Sequence, residues 1–124
     1  MNIEEKLQQI QATANSDPDA AVFKLRDLLK GNDDLLTGLY IQGSIHFLKQ
    51  EYKEASVIFA QIINADPKHE SASRYLFHSL WQRQDQVHAL EEIKRFWQTF
   101  GADHKSDLAI EYRRIIQEIR QQEQ

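Results

Sequence analysis

The chain has 124 residues, 41% of them hydrophobic and 27% charged, enough apolar content to bury a core without disulfides or metals. Its formal net charge of −4, from 15 basic and 19 acidic side chains, gives no global basic field to gather nucleic acid or an anionic membrane surface. The absence of cysteine excludes disulfide scaffolding, thiol catalysis and cysteine-ligated zinc, and 2 prolines and 4 glycines are too few for the turns of a β-sandwich or barrel.

The start, Met1-Asn-Ile-Glu-Glu-Lys, carries two acids before any apolar run and lacks a signal-peptide core. No stretch approaches the roughly 18 apolar residues of a membrane span. The expectation is a cytoplasmic chain with no membrane insertion and no nucleic-acid partner. Its apolar residues recur at helical spacing in short segments. Ile3, Leu7, Ile10 and Ala14 form the stripe of a first helix. The break Asn15-Ser16-Asp17-Pro18 follows, with Ser16 or Asp17 as N-cap and Pro18 in the first turn of the next helix. That helix carries Ala21, Leu25, Leu28 and Leu29 and stops at Gly31. Asn32 to Asp34 can cap a third helix over roughly 34–49, and a short break at Gln50-Glu51 leads to a fourth over roughly 52–64, ended by Asp66-Pro67. Helices over roughly 70–83 and 86–99 repeat the arrangement. After Gly101-Ala-Asp-His-Lys-Ser106, a last helix places Leu108, Tyr112, Ile115, Ile116 and Ile119 on one stripe. Seven helices with breaks of a few residues imply antiparallel neighbours, in an all-α fold with no linker and no second domain over residues 1–124.

A fixed period runs through these segments. Ala21, Ala55 and Ala89 are equally spaced, and the same step aligns Leu25, Phe59 and Ile93, then Leu28, Ile62 and Phe96, then Leu29, Ile63 and Trp97. A small residue followed by large apolar ones four, seven and eight later suits a close helix crossing with a filled layer between hairpins.

The middle unit resembles a tetratricopeptide repeat. Leu39-Tyr40-Ile41-Gln42-Gly43 matches the first helix of that family, where the glycine lets the partner helix approach. Tyr52-Lys-Glu-Ala55, Phe59, Ile62, Ile63 and Ala65-Asp66-Pro67 match the second. Gln42 stands where a leucine is usual and His46 where an aromatic is usual. The third unit has Phe77 in place of the glycine and Gly101 in place of the closing proline, and the first matches mainly in its second helix. The resemblance implies a right-handed α-α superhelix, a solenoid of three helical hairpins at about 2–31, 34–65 and 70–100 with a capping helix at about 106–122.

It also implies a concave face lined by the first helix of each hairpin. Carried onto this sequence, that face holds Tyr40, Ser44 and Phe47 in the middle repeat and Arg74, His78 and Trp81 in the third. The first repeat contributes Lys6, Ile10 and Thr13. Independently, 40/44/47 and 74/78/81 are i, i+4, i+7 sets, each on one helix face. Two aromatics, a tryptophan, an arginine and a histidine suit a peptide-binding floor, since Trp, Tyr and Arg are enriched at interface hot spots. Trp81 fits this groove better than the core, and Phe47 fits both equally. A carboxylate-clamping sub-family needs lysines, asparagines and an arginine at five positions. Here Lys6 matches, but Ile10, Ile41, Ser71 and Tyr75 do not, so that mode is not expected.

No metal-protease, nucleophile-elbow or phosphate-loop pattern is present, and the chain is expected to be neither an enzyme nor a cofactor or metal binder. His88 and Glu92, at i and i+4, read as solvated surface before they read as a metal pair. Trp97 reads as core. Glu70 suits the N-terminal dipole of its helix. Arg113, Arg114 and Arg120, interleaved with Glu111, Glu118 and Glu123, read as a solvated helix face. The function implied is a protein–protein interaction module, an adaptor or chaperone-like holder of a partner segment. The alternative is a self-associating structural subunit, a homo-oligomer built through the last helix or the ends of the array.

Overall fold

A computed structural model describes residues 2–31 and 34–123. Among them are seven α-helices: α1 Ile3–Thr13, α2 Pro18–Lys30, α3 Leu35–Leu48, α4 Tyr52–Ala65, α5 Glu70–Gln82, α6 Gln86–Phe100 and α7 Asp107–Gln122. No strand occurs among the described residues. Helices adjacent in sequence pack together from α1 through α6.

Local chemistry sets the boundaries. Asn2, Asp17, Asp34, His69, Asp85 and Ser106 each accept a hydrogen bond from a backbone N–H of the helix they precede, satisfying one of its orphan donors. Of the caps expected around 16–17 and 32–34, Asp17 and Asp34 act; Asn32 and Asp33 lie outside the described residues. The turns at Gln50 and Gln84 both enter the left-handed region, at φ of 62° and 64°. Each closes its preceding helix in the same way. Gln50 N–H donates to Phe47 O and Glu51 N–H to His46 O; Gln84 N–H donates to Trp81 O and Asp85 N–H to Leu80 O. One repeat later, the same turn has returned.

The helices beginning at Pro18, Tyr52 and Gln86 start at the same step that separates the aligned alanines. Ala21, Ala55 and Ala89 are 1%, 0% and 0% exposed, and Leu25, Phe59 and Ile93 beneath them are buried. Gly43 is needed for a close approach: a Cβ there would sit 2.9 Å from Phe59 Cζ, so any side chain forces the ring aside. Buried residues from all seven helices form one apolar cluster. At its C-terminal end α7 buries Leu108, Ala109 and Tyr112, with the Tyr112 ring against Phe77 of α5 and Phe96 of α6 at centroid distances of 5.6 and 5.1 Å. Ile115, Ile116 and Ile119 on the same stripe are half-buried.

Candidate functional site

The expected face of α5 is taken up by the chain itself. Arg74 and His78 lie one turn apart, and both meet α7. Arg74 Nε donates to Glu111 Oε2 at 2.9 Å, and His78 Nε2 lies 2.9 Å from Glu111 Oε1. Burial opposes ionisation of Glu111, but hydrogen bonds from His78 and Arg74, with the Arg74 charge, outweigh it and hold the carboxyl below its usual value.

The remaining aromatic and polar candidates are drawn inward. Trp81 is half-buried and stacks on Phe77, and half-buried Phe47 packs edge-on against Tyr52 and Tyr75. Tyr40 is 7% exposed. Its ring stacks on His69 and its hydroxyl accepts a 2.8 Å hydrogen bond from Gln11 Nε2. Ser44 is buried, and its hydroxyl donates to Tyr40 O, so it offers nothing to a partner. Burial of the phenols raises the pKa of Tyr40 and pushes Tyr75 up to about 12.

Of the seven residues expected in one groove, Tyr40 alone lines the first of two clefts that open beside α1. This cleft of about 470 Å³ runs between α1, α3 and the start of α5. Ile3, Glu4, Leu7, Gln8 and Gln11 line it from α1, Leu36, Thr37 and Tyr40 with the capping Asp34 from α3, and His69 and Ser71 from the start of α5. Glu4, Gln8 and Gln11 are themselves an i, i+4, i+7 set, the signal that would have found them. The periodic register instead pointed to Lys6, Ile10 and Thr13, which line a separate cleft of about 680 Å³ with Phe23, Lys24, Asp27 and Leu28. Tyr40 meets Gln11 where α1 and α3 face each other, while Lys6 lies in the other cleft. The first hairpin turns through Asn15-Ser16-Asp17, where Asp17 N–H donates to Thr13 O, and not through the left-handed turn of the other two.

His69 is held on two sides. Its Nδ1 accepts from Ala72 N–H at 3.0 Å, and Tyr40 covers its ring. With Nδ1 an acceptor, the neutral ring carries its proton on Nε2, making that atom a donor.

A buried polar network behind α5 was not foreseen. Glu92, expected on the solvated surface with His88, is 5% exposed. Arg95 grips it through Nε and a terminal nitrogen, both at 2.7 Å, and Ser73 Oγ donates to it at 2.6 Å. Ser73 has one hydroxyl hydrogen and gives it to Glu92, so the 2.9 Å contact with Tyr112 is donated by the tyrosine. His88 turns away to Asp85, whose carboxylate raises its pKa through a hydrogen bond and charge. Arg113 is likewise not a simple solvated charge. Its guanidinium lies 4.7 Å over the half-buried Trp97 ring and donates to the carbonyls of Ala102 and His104. Glu70 accepts from Ser106, tying the start of α5 to the cap of α7.

Among the described residues no group of three or more His, Asp and Glu side chains could hold a metal ion. No helix among them is long and apolar enough to cross a membrane. No protein-family model matches the chain, and neither a curated protein nor a solved structure matches it significantly.

Proposed function

We propose that residues 1–124 form a single tetratricopeptide-like array, a right-handed superhelix of three hairpins and a capping helix, that works as a protein–protein interaction module in the cytoplasm. As an adaptor or chaperone-like holder, it takes a partner segment into the cleft between α1, α3 and the start of α5. The observation that carries this reading is the cleft itself, to which each of the three hairpins contributes its first helix or that helix's cap. Support for the array comes from the evenly spaced helix starts at Pro18, Tyr52 and Gln86 and from the recurring turn at Gln50 and Gln84. A cleft of this volume accommodates a few side chains of a docked peptide.

Ser71, exposed at the edge of the cleft, gives the test. Partners captured by the wild-type chain are compared with those captured by Ser71→Trp, and the affinity of a recovered segment is then measured for both. The bulky ring is expected to weaken binding tenfold or more while leaving the circular dichroism unchanged. A segment bound equally by both proteins would remove this cleft from the function.

A second reading, self-association as a structural subunit, is favoured by Phe23. It is 75% exposed beside the cleft of α1 and α2. Light scattering across concentration decides it: a mass that rises for the wild type and stays monomeric for Phe23→Ser supports assembly through this end.

A further inference from the structure

The cleft that Tyr40 lines has a sign. Among the described residues its lining contains the carboxylates Glu4 and Asp34 and no lysine or arginine. Thr37 donates to Asp34 from both its hydroxyl and its backbone N–H, and these hydrogen bonds lower the Asp34 pKa and keep it ionised. Gln8 and Gln11 add amide oxygens, and Gln11 already gives an amide hydrogen to Tyr40. The apolar side chains Ile3, Leu7 and Leu36 line the same cleft and are more buried than Glu4, Gln8 and Asp34. Among the described residues, the second cleft beside α1 carries Lys6 and Lys24 against Asp27. The face of α5 is occupied by Glu111, and the groove between α4 and α6 carries Arg83 and Arg95 against Asp85, Glu91 and Glu92.

We infer that the partner segment received by this groove carries a basic side chain, lysine or arginine, whose apolar stem lies on Ile3, Leu7 and Leu36 and whose charged head meets Glu4 and Asp34. This rests on the reading of the cleft as a partner site. Long basic side chains pair an apolar stem with a cationic tip, which matches more buried apolar side chains beside exposed carboxylates. His69 Nε2 then serves as a donor to a main-chain carbonyl of the segment. Asp34 caps α3 through its side chain, so its removal would confuse binding with helix stability; among the described residues Glu4 makes no capping hydrogen bond but lies in the first turn of α1, so the circular dichroism of each Glu4 variant is recorded beside its binding.

The test uses an array of short peptides with arginine, lysine, citrulline, glutamine or glutamate at the centre, probed with the full chain. Wild type is expected to retain arginine- and lysine-centred peptides over their citrulline and glutamate counterparts, with the preference fading as salt rises. Glu4→Gln should weaken the basic peptides about threefold, the size of one exposed charge pair. Glu4→Lys should abolish the preference, and Ser71→Trp should release all the bound peptides. If peptides released by Ser71→Trp show no preference for a basic centre, or bind Glu4→Gln as tightly as wild type, this inference falls and the module reading stands. If Ser71→Trp releases nothing, both fall.

Discussion

The two ends of the molecule solve the same problem differently. The helices at either end of a packed series keep an outer face with no neighbour unless a further helix covers it. At the C-terminal end α7 covers that face, sinks Tyr112 between Phe77 and Phe96, and ties its polar groups to Ser73, Arg74 and His78. At the N-terminal end nothing among the described residues plays that part. Of the residues of α1 only Leu7 and Ile10 are buried, and Phe23 of α2 stays exposed. Arg74 and His78 of the third hairpin are engaged by Glu111 of α7, whereas the cleft beside α1 is lined by α1, α3 and the start of α5.

The largest effect expected from this difference is at Tyr112, which is fully buried. Tyr112→Ala should cost about 3–5 kcal/mol for the lost packing and the cavity, comparable with Phe59→Ala in the central hairpin. Tyr112→Phe should cost only about 1 kcal/mol, because Ser73 keeps its bond to Glu92. Chemical denaturation of the three variants checks the order. A Tyr112→Ala loss below about 1 kcal/mol would mean that α7 is an appendage and not a cap.

The three aligned alanines grade the same contrast. Ala55→Leu and Ala89→Leu should each cost about 1–3 kcal/mol by overpacking a fixed crossing. Ala21→Leu should cost less, since α1 can move outward to admit the larger side chain. Equal losses at all three would show that the first hairpin is as firmly held as the others. Leu7→Ala should cost about 2 kcal/mol, near the lower limit for a buried leucine, and the loss should be confined to α1. Hydrogen exchange reads this directly: faster exchange of α1 amides with α5 unchanged supports the contrast, and uniform acceleration breaks it.

Most of the helices were legible because they carry an apolar stripe of helical period, whereas α3 is apolar nearly all round, and six of the seven have a side chain that caps them. The repeat step picked out Ala21, Ala55 and Ala89, and all three are buried. The same step pointed to Lys6, which lines the cleft of α1 and α2 rather than the one that Tyr40 lines, and the first hairpin also turns differently from the other two. Spacing alone puts Arg74, His78, Glu92 and Arg113 on helix faces but does not say what faces them. Their partners, Glu111, Ser73 and Trp97, lie on other helices, and such long-range polar pairings leave no periodic trace. Ser44 looked like a surface hydroxyl for a related reason: it satisfies itself on Tyr40 O one turn back, which permits full burial.

The smallest expected effect isolates the polar half of the cap. Glu111 accepts from Arg74 and His78, whose side chains are 39% and 36% exposed, so solvent screens much of the attraction. Glu111→Gln should therefore cost only about 1 kcal/mol at neutral pH. The dependence on pH separates it from a general loss of packing. Because the folded-state pKa of Glu111 lies below its ordinary value of 4.5, its contribution is present above that value and disappears as pH falls through the folded value. The stability difference between wild type and Glu111→Gln should thus shrink as pH falls below about 4.5. Asp34, Glu51 and Asp85 also have lowered values, but they titrate alike in both proteins and cancel in the comparison. Urea midpoints measured from neutral pH into this acid range give the answer. A difference that stays constant with pH would mean that the carboxylate charge holds nothing at the capped end, and that α7 is kept in place by Tyr112 and its apolar stripe alone.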